Sequence, residues 1–358
     1  MDEREAMARA LDLAWRGWGR VQPNPLVGAV VLSSDGRLAG EGWHAEFGER
    51  HAESIALEAA GARTRNATLV VTLEPCNHQG KQPPCTDAVL ASGVRRVVIA
   101  MPDPNPEASG GAAKLAASGV EVRIGLERQV AEAQNAAFLH RFHDATRPFV
   151  AIKLATSLDG RIADAAGQSR WISGEKAREY VHWLRAGFDA IAVGGRTARQ
   201  DDPQLTVRGA VEPRVPPRRV IFDTAAELSS DLTMVRTAAE VETIVIASPE
   251  APTGNLRRLE LAGAVVLRAP SLEEGLGQLS GAGISSLLVE GGGRLVGALL
   301  ARGLVDRYYW VQSPLWLGER GVPGSADVPS DPIAGVERWT VVERRALGDD
   351  TLLVVDRR

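Results

Sequence analysis

The stretch Thr68 to Ser92, TLVVTLEPCNHQGKQPPCTDAVLAS, carries the pattern that decides the fold of the first half of the chain. It begins with an apolar run rich in β-branched residues, which predicts a buried strand over Thr68 to Leu73. A loop of proline, glycine and polar residues follows, and a helical pattern covers Thr86 to Ser92. A strand that leads into a helix is the repeating unit of a sheet with parallel strands and helices on its faces. The stretch therefore predicts an α/β fold.

The same alternation of strands and helices extends on both sides of this stretch. In chain order, the other predicted elements are a helix from Arg4 to Trp18, strands at Val27 to Leu32 and Arg37 to Trp43, a helix from His51 to Ala60, a strand at Arg96 to Ala100, a helix from Lys114 to Ala117, a strand at Val120 to Ile124 and a helix from Glu127 to Arg141. Between the first two strands, Ser34-Asp35-Gly36 predicts a hairpin turn. Together these elements predict a mostly parallel sheet that is covered on both faces.

A junction between two domains is predicted at Phe142 to Pro148, where helical periodicity is lost and the segment ends in proline. The length of 358 residues also suggests two domains, at roughly 150 residues per domain. We therefore predict a first domain over residues 1–146 and a second over residues 147–358. The second domain is also predicted to be α/β, with strands at Phe149 to Thr156, Ala190 to Val193, Arg219 to Phe222, Thr243 to Ala247, Ala264 to Leu267, Ser286 to Val289, Arg307 to Val311 and Leu352 to Val355, and helices at Glu175 to Ala186, Leu272 to Leu279 and Leu295 to Ala301.

The composition, with a net charge of −4, 44% hydrophobic and 24% charged residues, is typical of a soluble globular protein. Neither predicted domain has the basic excess that favours binding to a phosphate backbone, so nucleic acid is not the expected partner. The charged N-terminus lacks the apolar segment of a signal peptide, and no stretch has the roughly 18 consecutive apolar residues of a membrane span. These observations predict a cytoplasmic protein. In that compartment the only two cysteines, Cys76 and Cys85, are expected to be thiols or metal ligands instead of a disulfide.

Three residues of types that bind zinc lie at the ends of predicted elements. His51 opens a helix, Cys76 follows a strand, and Cys85 precedes the next helix. Three protein ligands leave the fourth position of a tetrahedral zinc open for water, as a catalytic site requires. Glu53 lies about 200° around the helix from His51, so it flanks the metal instead of binding it. The pattern matches the H-x-E and P-C parts of the zinc deaminase signature, in which the glutamate is the general acid and base, although eight residues separate the cysteines here.

Two other interpretations of these residues remain open from the pattern alone. Cys76 and Cys85 are also typical of buried thiols that bind no metal. The second alternative is a purely structural zinc, which would take His78 as its fourth ligand.

Several segments of the first domain resemble a known family. The segments His51-Ala52-Glu53, Thr72 to His78 (TLEPCNH) and Pro83-Pro84-Cys85 resemble the cytidine-deaminase superfamily. The long loop between the cysteines, together with Pro23 to Gly28 (PNPLVG) and Asp103 to Pro106 (DPNP), resembles its bifunctional riboflavin-biosynthesis deaminase/reductase branch. The resemblance implies a cytidine-deaminase-like α/β/α sandwich for the first domain.

This resemblance also implies a reaction, the hydrolytic deamination of a diaminopyrimidinone that carries a ribosylamino 5′-phosphate. Zinc would activate a water for attack on the ring carbon that bears the amino group. Glu53 would move the proton of that water to the ring nitrogen and then to the departing ammonia. The resemblance assigns substrate binding to Asn24, His44, His78 and Lys81, of which His78 and Lys81 suit a phosphate.

Two glycine turns in the second domain follow predicted strands. The strand at Ser286 to Val289 leads through Glu290 into Gly291 to Gly293 and then a helix. Such a turn lets backbone N–H groups approach a pyrophosphate at the positive end of a helix. The strand at Ala190 to Val193 leads into a second turn, Gly194 to Thr197 (GGRT). The two turns predict a dinucleotide site, although neither is the G-x-G-x-x-G fingerprint of a Rossmann fold.

The second domain resembles the reductase part of the same family, in matches that follow one another along the chain. These matches are Lys153 to Arg161 (KLATSLDGR), Trp171-Ile172-Ser173, Leu184-Arg185, Asp201 to Arg208 (DDPQLTVR) and Glu290-Gly291-Gly292. The resemblance implies a dihydrofolate-reductase-like domain that reduces C1′ of the ribosylamino group with hydride from NADPH. It assigns NADPH binding to Ala155, Trp171, Thr197, Asp201, Gly292, Gly293, Arg294, Leu295, Val296 and Gly297. It assigns substrate binding to Ser169, Arg185, Leu205, Arg208 and Glu290, with Arg185 and Arg208 as a fork on the sugar phosphate.

The leading hypothesis is a two-domain enzyme that deaminates and then reduces one phosphorylated pyrimidine, with Zn²⁺ and NADPH as cofactors. Lys153 or Glu290 would deliver the proton in the reduction, and the sequence does not choose between them. The resemblance further implies self-association into a homo-oligomer; we expect no nucleic acid or membrane partner.

Two rival hypotheses make other uses of the same residues. A tRNA or cytidine deaminase with an unrelated second domain is disfavoured by the acidic balance and by the ordered reductase matches. A zinc-stabilised binding module joined to a nucleotide-sensing domain is disfavoured by Glu53 beside an open zinc position.

Overall fold

The computed structural model of the chain describes residues 1–329, 332 and 336–357. The chain divides into two compact units, Met1–His143 and Asp144–Arg358. The division falls inside the segment Phe142 to Pro148, in which the loss of helical periodicity predicts a junction. No helix of the described residues has the length and apolarity needed to cross a membrane.

The first unit is built around one sheet. Its elements are α1 (Glu3–Ala14), β1 (Gly28–Leu32), β2 (Leu38–Trp43), α2 (Ala52–Ala60), β3 (Thr68–Leu73), α3 (Cys85–Ser92), β4 (Arg96–Met101), α4 (Gly111–Ala117), β5 (Glu121–Ile124), α5 (Arg128–Gln134) and α6 (Ala136–His143). The strand order is β2-β1-β3-β4-β5. The central strands β3 and β4 are almost entirely buried, which accounts for their continuous apolar sequences.

Three glycines let helices approach this sheet closely on opposite faces. A Cβ at Gly28 would lie 1.9 Å from the carbonyl oxygen of Ala10 in α1. Cβ atoms at Gly40 and Gly42 would lie 2.3 Å from carbonyl oxygens of α2. Gly28 pairs with Trp43, the neighbour of Gly42, so Gly28 and Gly42 point to opposite faces of the sheet. Helices α1 and α2 therefore cover opposite faces, and the unit is an α/β/α sandwich.

Two details of the first unit differ from the sequence prediction. The sheet is mixed instead of mostly parallel, because β1 pairs antiparallel with both β2 and β3, whereas β3, β4 and β5 are parallel. The predicted helix Glu127 to Arg141 is two helices, α5 and α6, that meet at Asn135. The side chain of Asn135 turns away to bond the backbone of Leu26, a tertiary contact that helical periodicity does not encode.

The second unit is built around a larger sheet. Its elements are β6 (Phe149–Thr156), β7 (Arg161–Ala163), α7 (Glu175–Arg185), β8 (Ala190–Gly194), α8 (Gly195–Asp201), β9 (Arg218–Phe222), α9 (Thr233–Arg236), β10 (Thr243–Ala247), α10 (Thr253–Leu261), β11 (Val265–Arg268), α11 (Leu272–Gly281), β12 (Ser286–Val289), α12 (Gly293–Ala301), β13 (Arg307–Gln312), β14 (Val322–Pro323), β15 (Thr340–Leu347) and β16 (Asp350–Asp356). The strand order is β11-β10-β9-β8-β12-β6-β13-β16-β15. The first seven strands in this order, from β11 through β13, are parallel to one another. Strand β16 pairs antiparallel with β13, and β15 pairs antiparallel with β16 at the edge of the sheet.

The elements that the sequence analysis did not predict are short or polar. They are β7, α8, α9, α10, β14 and β15. Strand β15 carries the sequence TVVERRAL, and most of its residues are exposed because it lies at the edge of the sheet and pairs only with β16. An edge strand needs no strict alternation of apolar and polar residues, so its sequence gives little signal.

Candidate metal centre and dinucleotide cavity

Three ligand residues of the first unit converge from three different elements. His51 is the N-cap of α2, Cys76 lies in the loop after β3, and Cys85 is the first residue of α3. The Nδ1 atom of His51 lies 3.2 Å from Sγ of Cys85 and 3.6 Å from Sγ of Cys76. One ligand atom from each residue lies within 4.8 Å of the others, which is the spacing that a single metal ion requires.

The chemistry of these donors fits zinc. Both cysteines are buried and free, and the backbone N–H of Cys85 also points at Sγ of Cys76, 3.4 Å away. Hydrogen bonds from the Cys85 thiol and from His51 lower the pKa of Cys76 well below its ordinary value, and the same proximity raises the pKa of Cys85. Two thiols this close compete for one negative charge, and a divalent cation relieves that competition by binding both as thiolates.

Among the described residues, no other histidine, cysteine or carboxylate joins this group. His78, the fourth ligand of the structural-zinc alternative, is outside it, and its Nδ1 atom is buried without a hydrogen-bond partner. Glu74 of the E-P-C segment is outside it as well, because its two carboxylate oxygens accept hydrogen bonds from the backbone N–H groups of Asp103 and Ala112. The geometry thus leaves one coordination position without a protein ligand.

Glu53 lies in the first turn of α2, one residue beyond the start of that helix, and is 4% exposed. Burial raises the pKa of its carboxyl group to about 6. A carboxylate of this basicity can accept a proton near neutral pH and return it, as a general acid and base must do.

His51, Cys76 and Glu53 line a cavity of about 270 Å³ in the first unit. Cys85, the third metal ligand, is not in the cavity wall, but its Sγ atom lies 3.2 Å from His51 Nδ1. Asn24, His44, His78 and Lys81, the predicted substrate residues of this domain, line it too. The other side chains with polar or aromatic groups in its wall are Phe47, Glu49, Glu74, Gln82, Asp103, Asn105 and Phe138. The cavity wall therefore includes every site residue predicted for the first domain except Cys85.

Asn24 and His44 are coupled at this cavity. Asn24 Nδ2 lies 3.1 Å from His44 Nε2, and His44 Nδ1 lies 3.2 Å from the backbone oxygen of Arg50. Burial lowers the pKa of His44, which favours the neutral ring. The neutral tautomer that satisfies both contacts donates from Nδ1 to Arg50 and accepts from Asn24 at Nε2. This pairing fixes both side chains against the cavity.

Lys81 and Asp103 give the cavity one cation and one further acid. The ammonium group of Lys81 lies 3.9 Å from the centroid of the Phe47 ring. Burial raises the pKa of Asp103 to about 6. Asp103 belongs to the DPNP segment of the family resemblance, but no role was predicted for it. Its position after β4, the parallel neighbour of β3, is the signal that brings it to the same edge of the sheet as Cys76.

The second unit holds a larger cavity, of about 1440 Å³, where the parallel strands of its sheet end. The predicted site residues in its wall are Lys153, Ala155, Ser169, Trp171, Arg185, Thr197, Asp201, Glu290, Gly292, Gly293, Arg294 and Leu295. Ligands of open α/β sheets bind at the carboxyl ends of the strands, which is where this cavity lies.

Both predicted glycine turns lie in the wall of this cavity. Gly291 and Gly292, at the start of α12, have φ angles of +91° and +87°. A Cβ at Gly292 would lie 3.1 Å from Oγ1 of Thr197, in the other turn. The two turns are therefore adjacent, and together with the N-termini of α8 and α12 they form a surface of backbone N–H groups that suits a pyrophosphate.

Arg185 and Glu290, both in the wall of this cavity, form a buried ion pair. Arg185 donates from Nε and Nη2 to the two carboxylate oxygens of Glu290, over 2.6 and 2.8 Å, and from Nη1 to the backbone oxygen of Thr206, over 2.8 Å. Burial alone would raise the pKa of Glu290, but the charge and hydrogen bonds of Arg185 outweigh it, so the pKa of Glu290 is lowered. Burial lowers the pKa of Lys153, which lies near the pair, and the charge of Glu290 opposes that change.

Four predicted residues of this site do not line the cavity. Leu205 and Val296 are 4% and 0% exposed and belong to the hydrophobic core. Gly297 packs against the backbone of Ala326, whose oxygen would lie 1.7 Å from an added Cβ. Arg208 donates to Oγ1 of Thr206 and to the side chain of Gln204. Arg185 is bound to Glu290 and Arg208 lies outside the cavity wall, so the fork of the two on a sugar phosphate stays a prediction.

The cavity wall also contains polar residues that the sequence analysis missed. They include Asp223, Thr224, Ser248 and Ser271. Asp223 follows β9 and Ser248 follows β10, strands that the analysis did predict, so their strand-end position was the available signal. Asp223 is held by Arg199, whose Nη1 atom lies 3.1 Å from each of its carboxylate oxygens.

Comparison with known families and structures agrees with this division of the chain. Residues 1–101 match the family described as the cytidine and deoxycytidylate deaminase zinc-binding region, and residues 148–353 match the RibD C-terminal domain. The chain is 37% identical to the riboflavin biosynthesis protein RibD of Aquifex aeolicus, over 99% of this chain and 98% of that protein. It is 38% identical to the Escherichia coli protein of the same name, over 99% of both chains.

Solved structures also resemble the whole chain, and two of them serve as examples. RibD from Acinetobacter baumannii has a TM-score of 0.83 and 34% identity, and 99% of each chain is covered. A diaminohydroxyphosphoribosylaminopyrimidine deaminase/5-amino-6-(5-phosphoribosylamino)uracil reductase from Thermotoga maritima has a TM-score of 0.83 and 37% identity, again over 99% of each chain. These full-length similarities bear out the resemblance and the two-domain α/β architecture inferred from the sequence. The chain belongs to the RibD family of riboflavin biosynthesis proteins.

Proposed function

We propose that this chain catalyses two consecutive reactions of riboflavin biosynthesis, a zinc-dependent deamination in the first unit and an NADPH-dependent reduction in the second. The substrate is 2,5-diamino-6-(5-phosphoribosylamino)pyrimidin-4-one, and the deaminated intermediate is 5-amino-6-(5-phosphoribosylamino)uracil. One observation carries the proposal. The same chain holds a His-Cys-Cys group beside a buried glutamate and a large cavity with two glycine turns, each in a unit that matches the corresponding half of the family.

In the first unit, His51, Cys76 and Cys85 would hold zinc, which acts as a Lewis acid that lowers the pKa of water to roughly 7. Glu53 takes one proton from water and passes it to the pyrimidine ring nitrogen while the hydroxide adds to the ring carbon that bears the amino group. It then passes the second proton, from the new hydroxyl group, to the amino group, which leaves as ammonia as the C–N bond breaks and the carbonyl forms. The Asn24–His44 pair binds the substrate at the wall of the cavity. Lys81 and His78 supply cationic and hydrogen-bonding groups for the phosphate.

In the second unit, NADPH would supply hydride, and the two glycine turns would hold its pyrophosphate. Glu290 is already fixed by two hydrogen bonds from Arg185, so its carboxylate is preorganised and has little tendency to gain a proton. Lys153 is the better candidate to deliver a proton toward the sugar ring, because its lowered pKa makes the ammonium group a stronger acid than an ordinary lysine. Ser169 and Arg185 contribute to the substrate side of the cavity.

The decisive experiment measures ammonia release and NADPH oxidation separately in one purified protein. Glu53→Gln removes the carboxylate that lies in the cavity beside the metal ligands and keeps the shape of the side chain. We expect ammonia release from the diaminopyrimidinone to fall by about 10³-fold or more, the scale expected for a lost general acid and base. NADPH oxidation with the deaminated intermediate should remain at the wild-type rate.

Glu58→Gln is the matched control, since Glu58 lies in the same helix but is exposed and does not line the cavity. It should leave both activities unchanged. The proposal fails for the first unit if the zinc-loaded wild-type protein releases no ammonia, and for the second if NADPH is not consumed with the deaminated intermediate.

Two further features of the leading hypothesis belong to this proposal. A cytoplasmic location agrees with the two buried free cysteines, because thiols persist in a reducing compartment. Self-association into a homo-oligomer stays a prediction from the family resemblance, and light scattering of the purified protein would test it.

A further inference from the structure

The loop that carries Asn24 is held by side chains from the end of the first unit. Asn24 lies between Val21 and Leu26, and its backbone N–H donates to the oxygen of Val21 over 2.9 Å. Val21 and Leu26 pack together in a small cluster with Ala14 and Trp18. The position of this loop decides where the Asn24 side chain lies against the cavity.

Asn135 makes a two-point contact with this loop. Its Oδ1 atom accepts from the N–H of Leu26 over 2.8 Å, and its Nδ2 atom donates to the carbonyl oxygen of Leu26 over 3.0 Å. Asn135 is 3% exposed. It lies between the end of α5 and the start of α6, and its side chain points toward the Asn24 loop. The contact joins positions 109 residues apart in the chain.

A second contact from α6 supports the first. Nη1 of Arg141 donates to the backbone oxygen of Pro23 over 2.7 Å. Asn24 is therefore bracketed, with Pro23 held on one side and Leu26 on the other. Phe138, one turn of helix from Asn135, lines the same cavity as Asn24.

We propose that Asn135 is a positioning residue for the deamination: it binds no substrate, and it fixes the Asn24 loop so that the Asn24–His44 pair is formed before the substrate arrives. A side chain that is held in place loses less conformational freedom on binding than a mobile one. Removal of Asn135 should therefore weaken substrate binding more than it slows the chemical step. This inference rests on the proposed deaminase function and adds a determinant of substrate affinity to it.

The test compares Asn135→Ala with Gln134→Ala. Gln134 is the matched control because it is the preceding residue, 8% exposed, and its Nε2 atom also donates to a backbone oxygen, that of Leu11 in α1, over 2.9 Å. For ammonia release, Asn135→Ala should raise KM about tenfold and change kcat less than about threefold, as the loss of one to two hydrogen bonds predicts. Gln134→Ala should leave KM within about twofold of wild type. NADPH oxidation with the deaminated intermediate serves as the check that the rest of the chain is intact.

A double-variant cycle separates positioning from a general loss of stability. If Asn135 acts through Asn24, the variant that combines Asn135→Ala with Asn24→Ala should have nearly the same KM as Asn24→Ala alone. Additive effects on KM, or an equal rise in KM with Gln134→Ala, would overturn the proposal. Arg141→Ala offers a milder variant at an exposed residue, and a smaller rise in KM is expected, should Asn135→Ala fail to fold.

Amide hydrogen exchange tests the structural half of the inference without activity. Exchange of the Leu26 amide and its loop neighbours should accelerate in Asn135→Ala and not in Gln134→Ala. Unchanged exchange would show that Asn135 does not hold the loop. If exchange accelerates but wild-type protein releases no ammonia, the proposed function fails and the loop contact stands; if exchange accelerates while KM is unchanged, the positioning role itself is refuted.

Discussion

At the residue scale, the structure distinguishes two histidines, His51 and His78, that the sequence offers as candidate zinc ligands. Both lie close in sequence to a metal-binding motif, and the sequence allowed His78 as the fourth ligand of a structural zinc. In the structure His51 joins both cysteines, whereas His78 is outside the ligand group. A site with three protein ligands retains a position for water, and a closed site with four does not.

Metal content therefore distinguishes the two histidines. Replacement of His51 by Ala should reduce bound zinc from one to well below one per chain, because two thiolates alone bind the ion much more weakly. Replacement of His78 by Ala should leave zinc at one per chain, with any loss of ammonia release arising from substrate binding. Elemental analysis of the two purified variants is the measurement. Loss of the metal in the His78 variant would instead support the structural-zinc alternative.

Arg185 shows why the role of a single residue was harder to foresee than its location. The family resemblance assigns Arg185 to substrate binding, and Arg185 lines the cavity of the second unit. Its partner was not foreseeable, because the ion pair joins α7 to the residue after β12, 105 positions away. Arg185 is bound to Glu290, and this pairing orients the carboxylate that lies near Lys153.

At the scale of elements, the sequence pattern predicted most of the strands and helices but not the direction in which neighbouring strands pair. Strands β3, β4, β6 and β10 were predicted within one residue, because each is a short apolar run between clear turns. Whether β1 would pair parallel or antiparallel with β3 depends on the path of the chain through α2, which no local pattern encodes. The same limit applies to Asn135, which breaks a helix for a contact with a distant loop.

The glycines that let α1 and α2 approach the first sheet give a prediction at this scale. In Gly28→Ala the added methyl group meets the backbone oxygen of Ala10, which cannot rotate away, so α1 must shift. We expect the free energy of unfolding to fall by about 3 kcal/mol, at the upper end of overpacking costs. Urea denaturation at constant temperature would measure it.

Gly254→Ala is the control for this change. Gly254 lies in α10 with no atom within 4 Å of an added Cβ and with a φ angle outside the left-handed region. Because Ala favours helices over Gly, stability should be equal to wild type or higher by up to about 1 kcal/mol. A loss of stability in Gly254→Ala equal to that in Gly28→Ala would contradict the argument from close approach.

For the whole molecule, the division into two units predicts that their cofactors can be removed separately. Incubation with a strong zinc chelator should lower ammonia release by more than about a hundredfold, because water at its ordinary pKa of about 15.7 is a poor nucleophile at neutral pH. NADPH oxidation with the deaminated intermediate should persist, since the described residues of the second unit include no metal-ligating group of the kind formed by His51 and the cysteines. Restoration of ammonia release by added Zn²⁺ would confirm that the metal was the cause. Equal loss of both activities would show that the second unit also depends on the metal.

The unequal size of the two cavities has a consequence for inhibitor discovery. Sites that hold drug-sized compounds span roughly 300–1000 Å³. The cavity of the first unit, at about 270 Å³, lies just below this range, and the cavity of the second unit, at about 1440 Å³, lies above it. A fragment with a single metal-binding group should fill most of the first cavity and achieve high affinity per atom, whereas a compound of the same size would leave most of the second unfilled. Screens for compounds that block this chain should therefore begin with small zinc-binding fragments and ammonia release as the assay.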